Sequence, residues 1–242
     1  MGDHWFQKAA SHMGEAYLRY SFTKGTEQEV QFLIKQLDLV PGMRLLDVGC
    51  GPGRHAHLFA KAGIEVVGID ISKEFVDIAS SKEINGTKFL NLDARSMTFD
   101  KEFDAVVSLC QGAFGLAGKP TGPVAINDPD GAILERMSKS LSPGGKIALT
   151  AFSAYFQVRY LEEQDTFHAD HGVNHEVTSI KNSVGKELIQ DLWTSCFTPR
   201  ELRLLATKYG LTVESIWSVS PGRYGEFLPT HTKPEFMLIA RR

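Results

Sequence analysis

The sequence predicts an α/β protein built on one doubly wound, mostly parallel sheet of seven strands. Three observations predict it. Short apolar runs such as MRLLDVG, EVVGID and FDAVVSL alternate with segments of helical periodicity, as buried parallel strands do. Gly- and Pro-rich turns separate them. The chain has 242 residues, 43% of them hydrophobic and 23% charged, which suits one domain with a substantial core and an insertion.

The elements follow in order. Residues 26–38 carry a helix with Val30, Leu33, Ile34 and Leu37 at helical spacing, and Thr26 with Glu29 reads as its capping box. Pro41-Gly42 stops it. MRLLDVG is the first strand, and a helix through Leu58, Phe59 and Ala62 ends at Gly63. EVVGID is the second strand; Ser72 caps a helix that turns Phe75, Ile78 and Ala79 inward. KFLNLD and FDAVVSL are the third and fourth strands. A helix from Asp128 to Leu141 follows, and Ser142-Pro143-Gly144-Gly145 turns the chain into the fifth strand, KIALTAF. Residues 154–197 are polar, aromatic-rich and aperiodic, and read as an insertion over the carboxyl edge of the sheet. Thr198-Pro199-Arg200-Glu201 then combines an N-cap, a Pro at the first helical position and a capping-box Glu. LTVESIWSV and PEFMLIARR supply the last two strands, joined by a loop carrying Arg223 and Tyr224.

Composition excludes several functions. A net charge of -3 and the lack of any Lys/Arg run disfavour nucleic acid as a partner. The start lacks a signal-peptide pattern and no apolar run spans a membrane, so a cytoplasmic location is expected. Cys50, Cys110 and Cys196 are too few and too far apart for a disulfide framework or a metal knuckle.

The strongest chemical signal is LLDVGCGPGRH, a strand ending in Asp47 followed by Gly49, Gly51 and Gly53 and a helix start. Glycines at this spacing let the chain turn sharply and let a ligand approach the backbone. The pattern differs from GxGxxG, because the third glycine comes one residue sooner and Asp47 would repel a pyrophosphate. A ligand with a cationic amino group suits it better. Asp70 ends the second strand, 19 residues after Gly51, where a carboxylate accepts from both hydroxyls of a ribose. Asp93 ends the third and suits an exocyclic amine.

These three turns resemble the class I S-adenosyl-L-methionine (SAM)-dependent methyltransferases over about residues 44–153. The resemblance implies a Rossmann-like sheet with an antiparallel last strand, SAM as cofactor and S-adenosyl-L-homocysteine as product. It implies cofactor contacts at Asp47, Gly49, Gly51 and Gly53 for the methionine part, Asp70 and Ile71 for the ribose, and Asp93 and Ala94 for the adenine. Leu109 and Cys110 match the segment whose backbone lines the methionine side. The whole chain then forms one methyltransferase domain. Residues 1–40 are its helical lid, 41–153 its SAM-binding core, 154–197 its acceptor insertion and 198–242 the sheet-closing part. Tyr20, Gln111, Phe114, Arg223 and Tyr224 are the candidate acceptor-pocket residues, with Tyr17, Phe22, Phe152, Tyr155, Phe156, Tyr160 and Trp193 as candidate aromatic walls.

Leu109-Cys110-Gln111-Gly112 replaces the Asn/Asp-Pro-Pro-aromatic segment of many methylases of bases and protein side chains. Cys110-Gln111 resembles the Pro-Cys-Gln of cytosine carbon-5 methylases, but Leu109 replaces the Pro, and Cys110 is read as a buried contact residue rather than a nucleophile. Asn127-Asp128 reads as a helix cap rather than a magnesium site. The His168, His171 and His175 group reads as a solvated loop, with one of these histidines a candidate general base and no metal expected. The expected function is methylation of a small-molecule acceptor at N, O or C by a monomer or homodimer. RNA or protein methylation and SAM binding without catalysis are the alternatives.

Overall fold

The computed structural model describes residues 4–82, 84–116, 118–121 and 128–242. The chain opens with α1 (Trp5–Met13), two 3-10 turns (Gly14–Arg19 and Ser21–Thr23) and α2 (Thr26–Gln36). There follow β1 (Arg44–Val48), α3 (Arg54–Lys61), β2 (Glu65–Asp70), α4 (Lys73–Ser80), β3 (Thr87–Asn91), β4 (Phe103–Ser108), α5 (Pro129–Ser140) and β5 (Leu141–Ser153). The second half holds α6 (Ala154–Arg159), β6 (Thr166–His168), β7 (Val173–Lys181), β8 (Glu187–Phe197), α7 (Pro199–Lys208), β9 (Thr212–Val219) and β10 (Glu235–Arg241).

The sheet runs β3-β2-β1-β4-β5, all parallel, and continues through β10, antiparallel to β5 and β9. These are the seven expected strands, with the last one antiparallel. The strand order reverses between β1 and β4, which opens a crevice at their carboxyl ends. Side chains alternate across the sheet: Leu46, Val106 and Leu149 pack on α5 and α7, while Leu45, Ala105 and Ala148 pack on α2 and α3. A smaller cluster joins Ala9, Ala10 and Met13 of α1 to Phe75 of α4 and Ile180 of β7, so the N-terminal helix is docked on the core and the insertion together.

Three expectations are corrected. Among the described residues the sheet has ten strands rather than seven, because residues 154–197, aperiodic in sequence, are regular in structure: β6, β7 and β8 form an antiparallel ribbon. The end of β8 pairs with β5 at Phe152 and Ser153, beyond the last β4 residue. The fifth strand begins at Leu141, with Ser142-Pro143-Gly144-Gly145 absorbed as an irregularity between the Phe103 and Ala105 pairings. The capping box at α2 does not form. Gly25, in the left-handed region at φ +93°, takes the cap position, and Glu29 turns into the protein. Ser72 and Thr198 cap their helices as expected, and so does Asp128; Asn127 lies outside the described residues.

Candidate active site

Asp47 is the last but one residue of β1, and the glycine turn that follows Val48 is tied to the tip of β2. The N–H groups of Gly49 and Cys50 both donate to the Ile69 carbonyl, at 2.8 and 3.0 Å. The Gly51 N–H donates to Asp70 Oδ2 and the Ser72 N–H to Asp70 Oδ1, each at 2.8 Å. Asp70 thus organises the turn, and a carboxylate has lone pairs left for two further donors. Burial pushes its pKa up to about 6 against those two bonds. Asp47 is also buried, and its Oδ2 has no partner among the described residues. Burial raises it to about 7, with Arg54 opposing and Asp70 adding to the rise.

The three glycines differ in why they are glycine. A Cβ at Gly49, at φ +77°, would lie 2.1 Å from the Gly112 carbonyl carbon, and one at Gly53 would lie 2.8 Å from His57 Cε1. Both are demanded by the protein's own packing. Gly51, at φ +54°, would place a Cβ in ordinary contact with Phe75 at 3.9 Å and Tyr17 at 4.0 Å, so its left-handed backbone and not a clash calls for glycine.

Gly49, Asp70, Ile71, Asp93 and Ala94 line one groove at the ends of β1, β2 and β3, whereas Asp47, Gly51 and Gly53 are not among its lining residues. Both Asp93 oxygens accept from Arg95; burial works to raise the carboxyl, but Arg95 holds it below the ordinary value. His4 and Phe6 line the same groove, whose open volume is about 40 Å³, and His4 Nε2 donates to the Leu116 carbonyl at 2.7 Å. A nucleoside needs several times that space, so the start of α1 narrows the groove below what one fills. Leu109 is buried in the α2/α3 core and does not line the groove.

Phe6, Gly112 and Leu116 also border a second cavity of about 490 Å³, between the N-terminal segment, β7 and the carboxyl ends of β4 and β5. Tyr17, Tyr20, Phe22 and Phe152 give it an aromatic wall. Tyr20 Oη accepts from the Lys181 N–H at 3.0 Å, which ties that wall to β7. Cys110 and Gln111 reach the cavity from consecutive left-handed residues, φ +50° and +52°, a strained turn held by the Cys110 N–H donating to Thr150 Oγ1 at 2.7 Å.

Other expected acceptor residues lie elsewhere. Phe114 is fully buried and stacked on Phe197 at 4.8 Å between ring centres, because the strained turn sends it into the core. Arg223 is exposed and borders a separate hollow with Gln28. Tyr224 borders that hollow too and reaches Cys110 Sγ from behind at 3.8 Å. Of the expected walls, Tyr155 and Tyr160 are exposed. Of the histidine group, His171 lies in the turn between β6 and β7, but His168 is in β6 and His175 in β7, stacked on Trp193 at 3.9 Å and bonded to Asp191. Burial pushes the Cys110 thiol up to about 12, against the pull of Arg54, which leaves it protonated and weakly nucleophilic.

Two features escaped sequence reasoning. Glu29, fully buried, accepts from Arg54 at 2.8 Å, His55 at 2.7 Å and the Gly222 N–H at 2.7 Å. Arg54 also donates to Cys110 Sγ at 2.8 Å, so it spans the grouping of Glu29, His55 and Cys110 whose atoms otherwise lie at metal-ligand spacing. Glu235, at the start of β10, lines the aromatic cavity at 3% exposure, and its Oε2 has no partner among the described residues. Burial, then Glu29, pushes it up to about 8, with Gln111 and Arg54 opposing. An acidic residue at the head of an otherwise apolar strand was its only signal.

A family model described as a methyltransferase domain matches residues 39–199. Demethylmenaquinone methyltransferase of Renibacterium salmoninarum is 32% identical over 124 residues, 51% of this chain and 47% of that protein. The cypemycin N-terminal methyltransferase of a Streptomyces species is 32% identical over 105 residues, 43% of this chain and 40% of that protein. The chain therefore matches less than half the length of either relative. Among solved structures, the CcbJ methyltransferase of Streptomyces caelestis superposes with a TM-score of 0.73 at 16% identity, covering 96% of this chain and 97% of that one. SAM-bound CalS10 of Micromonospora echinaspora, an amino pentose methyltransferase, gives 0.64 at 21% identity, covering 100% and 99%. These two share the fold.

Proposed function

The chain belongs to the methyltransferase-domain family and has the class I fold of the SAM-dependent methyltransferases, and from that premise we propose that it methylates a small molecule. The observation that carries the reading is the buried, unpartnered Asp47 oxygen near the carboxylate of Asp70, which accepts from the Gly51 N–H of the glycine turn. Those groups fit SAM. Asp47 and Gly51 would hold its ammonium-bearing part, Asp70 and Ile71 its ribose, and Asp93 and Ala94 the rim around its adenine. Gly49 and Gly53 shape the turn, and the backbone of Leu109 and Cys110 backs the methionine side.

When bound, SAM supplies a methyl group already activated by a sulfonium, so the protein is asked chiefly for alignment and dryness. Residues 1–40 would act as the lid, closed by the His4 bond to Leu116 and opened for exchange. Residues 154–197 would form the far wall of the acceptor cavity. A cavity of about 490 Å³, enclosed by α1 and β7, has the size of small-molecule sites. The relatives named for quinone and amino-sugar methylation support the same acceptor scale.

Titration calorimetry tests the reading. The native chain is expected to bind SAM and S-adenosylhomocysteine, and Asp70→Ala to weaken both by about 2 kcal/mol, the scale of lost charge-assisted hydrogen bonds. Asp70→Asn, which keeps the size of the side chain, controls for slackening of the turn at Gly51 and Ser72. No SAM binding by the native chain, or equal affinity in Asp70→Ala, would overturn the assignment.

A further inference from the structure

Glu235 borders the aromatic cavity and is buried, and its Oε2 has no hydrogen-bond partner among the described residues, while the neighbouring Gln111 side chain draws its proton affinity down. Burying a carboxylate oxygen unpaired is unfavourable, and one at the edge of an empty space indicates that a donor is meant to enter it. The described residues lining this cavity include Glu235 and Glu176 but no lysine, arginine or histidine, so nothing there welcomes an anion. The rest of the lining is mainly aromatic and aliphatic, and aromatic faces attract cations.

We propose that the acceptor is an apolar molecule bearing one basic amine, held as its ammonium against Glu235, and that Glu235 takes the proton that frees the nitrogen lone pair. The proposal rests on the methyl-transfer reading for its purpose, and names the acceptor class of that same site. One N–H bond breaks and one O–H bond forms on the carboxylate, while nitrogen keeps the electron pair. An ion pair becomes a neutral pair, a change that a dry cavity favours. The groups around Glu235 permit this: burial and Glu29 raise its proton affinity, Gln111 and Arg54 moderate it, and Cys110 and Tyr224 behind it are themselves held protonated by burial. Glu176, on β7, is also raised by burial. A general base needs a proton affinity near the working pH, and Glu235 has one.

The test is calorimetry in saturating S-adenosylhomocysteine at mildly acidic pH, with 2-phenylethylamine and cyclohexylmethylamine against 2-phenylethanol and cyclohexylmethanol. The native chain is expected to bind at least one amine about tenfold more tightly than its alcohol, releasing about one proton as the Glu235 carboxyl ionises. Glu235→Gln removes a buried acid without changing its shape, so it is expected to keep the native melting temperature. It should lose the amine preference and the proton release while binding the alcohols unchanged. Equal binding of amines and alcohols, no binding of any probe, or a preference that survives Glu235→Gln would overturn the proposal. S-adenosylhomocysteine affinity, measured separately, distinguishes this failure from failure of the methyl-transfer reading.

Discussion

Gly49→Ala is expected to destabilise the protein by roughly 3–5 kcal/mol, the sum of a left-handed alanine and a steric overlap that neither loop can relieve. The added Cβ would lie 2.1 Å from the Gly112 carbonyl carbon and 2.3 Å from its oxygen, closer than any real contact. Movement is blocked on both sides. The Gly49 N–H is bonded to Ile69, and Gly112 closes a turn to the Leu109 carbonyl that Thr150 braces at Cys110. Gly51→Ala is the contrast: its φ of +54° carries the left-handed cost alone, since no atom lies within 3.9 Å. It should cost roughly 1 kcal/mol of stability. Urea denaturation of the two variants decides the matter. Equal stability would mean that the contact between the β1 and β4 turns is dispensable.

That contact also marks the limit of what sequence revealed. The Ser72 cap and the Thr198 capping box were legible because each rests on local spacing, a polar oxygen reaching an N–H three residues on, and the β2 strand because EVVGID is a short apolar run. Gly49 was read as room for a ligand, whereas it makes room for Gly112, a neighbour in space and not in sequence. Phe114 and Arg223 were misplaced because the direction of a loop residue depends on backbone angles. Two consecutive non-glycine residues at positive φ give no signal in the chain. The β6–β8 ribbon was hidden because its strands are mostly half-exposed and carry polar residues on both faces, which erases the period of two. Glu235 and Glu29 were missed for a related reason: a carboxylate is expected at the surface, and only the tertiary fold shows that these two are buried.

Glu29→Ala is expected to destabilise the protein by roughly 3–5 kcal/mol, as removing one partner of a buried ion pair does, because it strands the others. Arg54 would lose its only carboxylate partner, His55 its acceptor and the Gly222 N–H its only bond among the described residues. The exposed Lys73–Asp77 and Lys139–Glu135 pairs, both 2.6 Å long, should matter by only a few tenths of a kcal/mol each, since water screens them. The pH dependence of the difference has a definite sign. Burial works to raise Glu29, but His55, Arg54 and the Gly222 N–H hold it below the ordinary carboxylate value. Its contribution is therefore fully present above the unfolded value and is lost as pH falls through the folded one. His55, lowered to about 4 chiefly by burial, is neutral above pH 5 in the native protein, and Glu29 acts to raise it, so removing Glu29 lowers it further and leaves it neutral over that range. The gap between native and Glu29→Ala should hold from pH 7 to about 5 and close at more acid pH, read by urea denaturation across that range. A gap below about 1 kcal/mol at pH 7 would show that Arg54 finds another partner. Arg54 opens α3 directly after the glycine turn and reaches Cys110 on the opposite turn, so the same substitution should slacken both walls of the cofactor groove and weaken SAM binding as well.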